Sequence, residues 1–383
     1  MKVLLISHTC QSVTEGQPKA AAIAARLDGE LLVLAPDRWK HYGTWRHAEP
    51  PRSAGYVYIA AKPALPWTGP AQSYLHFYPR LAQLLQHFRP DVIDIWEEPW
   101  SLVSAQACRL RNRLLPRARI ISETEQNLAK AYPPPFNWLR AYTLRHADFA
   151  VARSREALDV LHTQGYSGPA SVIPNAVDPA LFRPMDRAAC REALGMEGFV
   201  IGYAGRIVEQ KGLMELVNAL PLLPACVHLS FAGSGEYTGA LQARLRELRL
   251  EARARFLPSQ PLQALSRWMN AIDLLALPSR TTPRWKEQFG RVIIEAHACG
   301  TPVAGSDSGA IPGVVGQGGV IFPERNAPAL AAAVVPLCLD PDRCRTLGAE
   351  GRRQILAHYT WSKVGERMHR IYQHVQRRPS FDA

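Results

Sequence analysis

One stretch, residues 277–314, limits most strongly what this chain can fold into. Ahead of it runs an apolar segment, 272–277, interrupted only by Asp273 and closed by Pro278-Ser279, which is the pattern of a buried strand entering a loop. After a polar loop, Val292, Ile293, Ile294, Ala296 and Ala298 form the body of a helix. It is expected to begin near Gly290 and to stop at Gly300, whose missing Cβ suits the left-handed position after a helix end. A second apolar segment, 301–304, runs into a Gly-Ser-rich loop, 305–309. Strand, loop, helix, strand, loop is the unit of a parallel α/β sheet, whose ligand crevice lies beyond the carboxyl ends of its strands. Two carboxylates frame the helix: Glu287 before it and Glu295 about a turn and a half inside it. Free amides at a helix N-terminus suit a diphosphate, and an acceptor-only carboxylate suits two vicinal ribose hydroxyls. Two glutamates eight apart also arise by chance, and the outer face of an amphipathic helix needs no ligand. Spacing alone leaves both readings open.

Upstream, the apolar strand 199–204 delivers Gly205-Arg206, and Lys211-Gly212 opens a helix over 213–220. An arginine fork and a lysine point charge five residues apart can neutralise a diphosphate leaving group without a metal, although exposed loops often carry such pairs. Strands over 228–232 and 254–257 end in Gly233-Ser234-Gly235 and Pro258-Ser259, read as turns. With 383 residues and 47% apolar content, the chain can build two domains, each with its own core. The apolar run at 3–6 is too short for a signal peptide, and no uncharged apolar stretch is long enough to span a bilayer, so a cytoplasmic location is expected. Seven scattered cysteines without a C-x-x-C pair give neither a disulfide framework nor a zinc site.

The run from Glu287-Gln288-Phe289-Gly290 through Glu295-Ala296, continuing over 298–303, resembles the E-x7-E segment of retaining GT-B glycosyltransferases of family 4. Gly205-Arg206 with Lys211-Gly212 resembles that family's G-R-x4-K-G element, and 172–181 resembles its inter-domain linker. The resemblance implies an α/β fold of two Rossmann-like domains facing each other across a donor cleft. Residues 1–177 would form the acceptor side, 178–360 would bind the nucleotide-sugar, and 361–383 would supply a helix crossing back to the first domain. It further implies catalytic roles for Arg206, Lys211 and Glu287. Phosphate contacts would come from Gly205 and the backbone of Phe289, Gly290, Arg291 and Val292, and ribose contacts from Glu295. No metal or cofactor is implied; Asp340-Pro341-Asp342 sits late in the chain, near a helix start. The implied reaction moves a sugar from a nucleoside-diphosphate sugar to a hydroxyl acceptor with retention, in polysaccharide, glycolipid or cell-envelope glycan synthesis. A nucleotide-sugar epimerase on the same architecture and a non-catalytic binding protein are the alternatives.

The first domain opens as strand 1–7, Gly16, helix 19–27 and strand 31–35, without G-x-G-x-x-G, so a nicotinamide cofactor is not indicated. Family members usually pair glycines in this first loop near the donor phosphate; here Gly16 stands alone. Residues 38–80 carry Trp39, Tyr42, Trp45, Tyr56, Tyr58, Trp67, Tyr74, Phe77 and Tyr78, which satellite packing or an acceptor surface would each explain. A strand over 91–96 delivers Glu97-Glu98, and one over 120–122 delivers Glu123-Thr124-Glu125-Gln126-Asn127. Relatives often place a histidine there. This chain has none, leaving Gln126 and Asn127 as candidates for polar contacts with the substrate. The net charge of +12 suits an acidic partner, but no basic stripe with stacking aromatics indicates nucleic acid. The cluster Arg109, Arg111, Arg113, Arg117 and Arg119 fits cations at a helix C-terminus closed by Pro116. A glycan or lipid-linked acceptor, with peripheral contact to anionic lipid at the inner membrane face, is the partner expectation.

Overall fold

Val3, Leu4, Leu5 and Ile6 expose no surface, because their strand has a parallel partner on each side and layers packed on both faces. The computed structural model describes residues 1–41, 44–52, 55–65 and 72–377; Tyr42 and Trp67 of the aromatic-rich segment lie outside the described residues. Contacts divide the chain into two units, Met1–Pro174 together with the chain from Trp361 onward, and Asn175–Thr360.

The first unit contains β1 (Lys2–Ile6), β2 (Glu30–Pro36), β3 (Arg38–His41), β4 (Thr44–His47), β5 (Val57–Ala61), β6 (Val92–Ile95), β7 (Arg119–Thr124), β8 (Phe149–Ala152) and β9 (Ala170–Val172). Its seven-stranded sheet runs β5-β2-β1-β6-β7-β8-β9, all parallel, while β3 and β4 pair as a separate antiparallel ribbon. The strand order reverses between β1 and β6. That makes the loops after these two strands the edges of a crevice.

A buried ionic cluster lies under this sheet's carboxyl end. Strand β7 continues past the expected 120–122 through Glu123 and Thr124, so Glu123 is an interior residue and not a strand-end side chain open to a crevice. The reason is charge pairing: Lys19 takes one of its carboxylate oxygens and Arg153 the other. Both cations also sit against the Trp96 ring, at 4.1 and 4.8 Å from its centroid. Close by, the buried Tyr372 hydroxyl donates to Asp94 at 2.6 Å, fixing the C-terminal helix Trp361–Arg377 to β6. Gly365 of that helix lies so close to the helix Gln17–Ala24 that a Cβ would come within 2.3 Å of the Ala22 carbonyl oxygen. Among the basic cluster, Arg111 donates to the His146 carbonyl at 2.6 Å and Arg119 pairs with Asp148 at 3.1 Å, so both hold neighbouring chain.

The second unit contains β10 (Phe199–Ala204), β11 (Val227–Ala232), β12 (Ala254–Leu257), β13 (Leu274–Leu277), β14 (Val303–Ser306) and β15 (Gly319–Phe322), in the parallel order β12-β11-β10-β13-β14-β15. This is the doubly wound Rossmann order, with its switch point between β10 and β13. Two strands start later than their apolar runs. Ile272 still bonds back to Trp268 at the end of the helix Leu262–Ala271, and the Asp273 carboxylate is taken by Arg187, Arg191 and the Val200 amide. Likewise the Thr301 amide closes the helix Arg291–Ala298, and its hydroxyl donates to the Met269 carbonyl at 2.7 Å. Gly300, at φ 79°, takes the left-handed position expected of it.

Candidate active site

The switch point of the second sheet brings together the loops after β10 and β13. From the first comes Lys211, whose ammonium donates to Glu287 Oε2 at 2.6 Å; from the second comes Glu287 itself. Two residues 76 apart in sequence thus form one ion pair, nearly buried on the Glu287 side. The Lys211 ammonium also lies 4.8 Å from the centre of the Trp285 ring.

The surroundings hold this pair rigidly. Buried Ser279 donates to the same Glu287 oxygen at 2.9 Å, and Ser306 donates to the Ser279 carbonyl at 2.6 Å. The Ala310 amide bonds the Glu287 carbonyl at 3.2 Å, and Gly309, at φ 55°, approaches it so closely that a Cβ would stand 2.2 Å from that oxygen. Arg280 grips Glu215 with Nε and Nη2, and its amide donates to the Gln210 carbonyl at 2.9 Å, tying the β13 loop to the Lys211 loop. Gly212, at φ 64°, packs where a Cβ would stand 1.9 Å from the Pro278 carbonyl oxygen. That closeness lets the two loops meet.

Gly205 has φ 137° and its carbonyl lies against Gly233, while the exposed Arg206 offers its carbonyl to the buried Tyr203 hydroxyl at 2.7 Å. Burial raises the Tyr203 phenol; the Glu287 carboxylate raises it further and Arg206 opposes it, which puts both charges within electrostatic reach of one group. Gly290, at φ 81°, starts the helix Arg291–Ala298, and no side chain caps it. The Phe289 side chain is core, tilted against Tyr359 with ring centres 6.0 Å apart, so its part in a ligand site falls to its backbone. Val292 packs on the same core. Arg291 reaches Glu295 at 4.0 Å. Glu295 is largely buried and not on an open helix face; burial raises its carboxyl and Arg291 partly offsets this.

In the first unit the corresponding switch point holds a cavity of about 170 Å³ between the loops after β1, β6 and β7. His8, which the sequence reading passed over, places Nδ1 2.8 Å from Glu97 Oε2, and the His8 amide donates to Glu97 Oε1 at 2.5 Å. Trp39 stacks on the His8 ring at 4.7 Å. A histidine two residues past a strand of aliphatic residues carries no local signal for a partner 89 residues away. Gly16 lies against the Thr9–Cys10 backbone, where a Cβ would stand 2.4 Å from Cys10 N. Gln126 bonds Tyr132 and Leu128, and buried Asn127 bonds Glu156; neither lines the cavity.

Burial lowers the His8 imidazole, but the Glu97 carboxylate outweighs burial and the net shift is upward; Glu97, raised by burial and lowered more by His8, ends below its ordinary value. Stability from His8 is therefore full below its ordinary 6.5 and lost as pH rises through its folded value. Stability from Glu97 is present above its ordinary 4.5 and lost as pH falls through its folded value. In Glu97→Gln the largest upward influence disappears, leaving only the weaker ones of Glu125 and Glu15 against burial, and the His8 titration followed by proton NMR is expected to move down. An unchanged midpoint would show that the pair does not form.

Comparison with known proteins bears on the family and the fold. The glycosyl transferases group 1 model matches residues 186–354, and the glycosyltransferase family 4 model matches residues 24–181. The D-inositol 3-phosphate glycosyltransferase of Jonesia denitrificans is 31% identical over 307 residues, covering 73% of this chain and 67% of that protein. The chain belongs to the glycosyl transferases group 1 family. A GDP-mannose-dependent monoacylated alpha-(1-6)-phosphatidylinositol monomannoside mannosyltransferase of Corynebacterium glutamicum is 32% identical over 212 residues, 52% of this chain and 55% of that one. Among solved structures, sucrose-phosphate synthase from Thermosynechococcus elongatus matches with TM-score 0.75 at 21% identity, covering 98% of this chain and 99% of that one. Anabaena HepE in complex with UDP matches with TM-score 0.77 at 19% identity, covering 98% and 100%. The fold of this group 1 family member is accordingly GT-B, with a Rossmann-like sheet in each unit.

Proposed function

We propose that the protein transfers a glycosyl group from a nucleoside-diphosphate sugar to a hydroxyl acceptor, with retention at the anomeric carbon and without a metal. The observation that carries this is the Lys211–Glu287 pair at the second sheet's switch point, beside a helix N-terminus that no side chain caps. In this reading the diphosphate lies along the backbone of Phe289 to Val292 and Gly205, with Arg206 and Lys211 neutralising it. Glu295, inside the helix, accepts the two ribose hydroxyls. Glu287 meets the donor sugar, and Ser279 keeps its carboxylate oriented. HepE has been solved with UDP-glucose, which makes a uridine donor the first to test.

Charge grows on the diphosphate as the glycosidic bond breaks, so Arg206 and Lys211 act most strongly in the transition state. The departing phosphate oxygen takes the acceptor hydroxyl's proton while that oxygen bonds the anomeric carbon from the same face. A covalent route would need a carboxylate free to attack the opposite face. Of the first unit's Glu98, Glu123 and Glu125, Glu123 is held by two cations, Glu98 by the Thr124 hydroxyl and the Glu125 amide, and Glu125 by Arg153, which favours the direct route. The aspartates of Asp340-Pro341-Asp342 have structural partners, Asp340 capping a helix at the Arg343 amide and Asp342 pairing with Arg345, so they do not support a metal-diphosphate site. The pathway reading, glycan or envelope glycolipid synthesis with peripheral contact to anionic lipid, rests on the net charge of +12.

Transfer from a nucleoside-diphosphate sugar is expected to proceed at full rate in chelator and to give a product with the donor's anomeric configuration by proton NMR. Dependence on added manganese or magnesium would overturn the metal-free part. An inverted product would overturn the mechanism.

A further inference from the structure

The arginines between 109 and 119 do not share one role. Arg111 and Arg113 occupy the last turn of the helix Leu102–Leu114, where cations complement the dipole. Arg111 and Arg119 also hold neighbouring chain, through the His146 carbonyl and Asp148. Arg117 fits neither account. It lies beyond Pro116, outside the helix, and is exposed, and its guanidinium has no hydrogen bond or ion pair among the described residues.

Arg117 lines a cavity of about 630 Å³ together with Arg89, Asp91, Arg119 and Gln376. That volume is within the range of small-molecule sites, about 300–1,000 Å³. The cavity lies at the amino ends of β6 and β7, beside the end of the helix Leu81–Phe88 and the last turn of the helix Trp361–Arg377. The crevice lined by Glu123 and Thr124 is at the other end of β7, six residues and so about 20 Å away. The two are separate sites on one sheet.

The charge of this second cavity is one-sided. Three guanidiniums face one carboxylate, and of these groups Arg119 is committed to Asp148 at 3.1 Å while Asp91 Oδ2 accepts the Lys2 amide at 2.7 Å. Arg89, like Arg117, is exposed, and its guanidinium has no partner among the described residues. Arg89 also stands at φ 51°, in the left-handed position closing the helix Leu81–Phe88, where glycine is the unstrained choice. Arg249 and Arg325 share that conformation, so it is not diagnostic alone; Arg325 offsets it by donating to the Thr281 carbonyl at 3.0 Å, whereas Arg89 makes no such bond. Planar guanidinium forks match phosphate oxygens with paired bonds, and the Gln376 amide adds a neutral donor. A phosphomonoester carries close to two negative charges at neutral pH, which two unpaired guanidiniums balance.

We propose that this cavity is an anion site for a phosphomonoester, with Arg89 and Arg117 on the phosphate and with Gln376 and the wall of Leu114, Leu115 and Pro116 against the ester group. The assignment does not depend on the glycosyl-transfer reading. A soluble polyol phosphate and the headgroup of phosphatidic acid present the same chemistry.

The test titrates the full chain with glycerol 3-phosphate by calorimetry, and co-sediments it with phosphatidylcholine vesicles with and without phosphatidic acid. Binding of glycerol 3-phosphate identifies a soluble ligand, and binding confined to the phosphatidic acid vesicles identifies a lipid headgroup. In either case Arg89→Gly and Arg117→Ala are each expected to weaken binding about tenfold or more, the loss of one charge-assisted pair. Because glycine suits φ 51°, Arg89→Gly is expected to keep or raise the thermal unfolding midpoint, which separates lost binding from lost folding. Lys211→Ala, in the other unit, is expected to leave this binding unchanged. The assignment is overturned if neither probe binds, if binding is unaltered in either arginine variant, if only Lys211→Ala removes it, or if Arg89→Gly lowers the midpoint.

Discussion

Lys211→Ala is expected to slow glycosyl transfer by about 10²–10³-fold while changing donor affinity by less than about tenfold, the effect of removing one oriented charge from a transition state. The physical ground is the placement of Lys211. Its ammonium is held at 2.6 Å by Glu287 and braced against Trp285 before any ligand arrives, so little reorganisation is needed as the diphosphate gains charge. Arg206→Ala should act in the same direction, since Arg206 shares the loop after β10. Steady-state kinetics with donor affinity measured by calorimetry provides the check. Equal losses in affinity and rate constant would mean that Lys211 binds ground state and transition state alike, contrary to the proposed role.

Glu123→Ala should destabilise the first unit by about 3–5 kcal/mol, since it leaves the buried cations Lys19 and Arg153 without their shared carboxylate. Burial pushes the Glu123 carboxyl up, but Lys19 and then Arg153 outweigh burial and hold it at about 2. The stability it contributes is therefore present above its ordinary 4.5 and is lost only as pH falls through about 2. Urea unfolding at neutral pH, followed by fluorescence, measures the effect. A midpoint unchanged from that of the native chain would show that the cluster contributes nothing.

The second unit was largely legible because its chemistry follows local rules. Gly290 and Gly300 bracket a helix whose apolar spacing is visible over residues 291–298, and the five-residue interval from Arg206 to Lys211 lies within one loop. In the first unit β1, β2, β6, β7 and β8 were legible as strands, but β5, β9 and the β3–β4 ribbon were not, and neither were the long-range pairs. Lys19 sits in the alanine-rich helix Gln17–Ala24, and its partner Glu123 is 104 residues away in the strand Arg119–Thr124. His8 meets Glu97 across 89 residues, and Asp94 meets Tyr372 across 278. Such pairs are set by which strands become neighbours, and periodicity does not encode that. A lone lysine among alanines, and a glutamate continuing the run Ile120-Ile121-Ser122, are the faint signals that a buried ion pair leaves in sequence. The segment 38–80 shows the same limit, because Trp39 and Tyr74 find their places only against His8 and Trp100.

In the proposed function the crevice between β10 and β13 binds a nucleoside diphosphate, with Glu295 on the ribose. Calorimetric titration of the native chain and of Glu295→Ala with UDP, GDP and ADP tests it most directly. One of the three is expected to bind, and Glu295→Ala is expected to weaken it about 10- to 100-fold, the value of hydrogen bonds to a charged acceptor. Failure of all three to bind, or an affinity that Glu295→Ala leaves unchanged, would contradict the account.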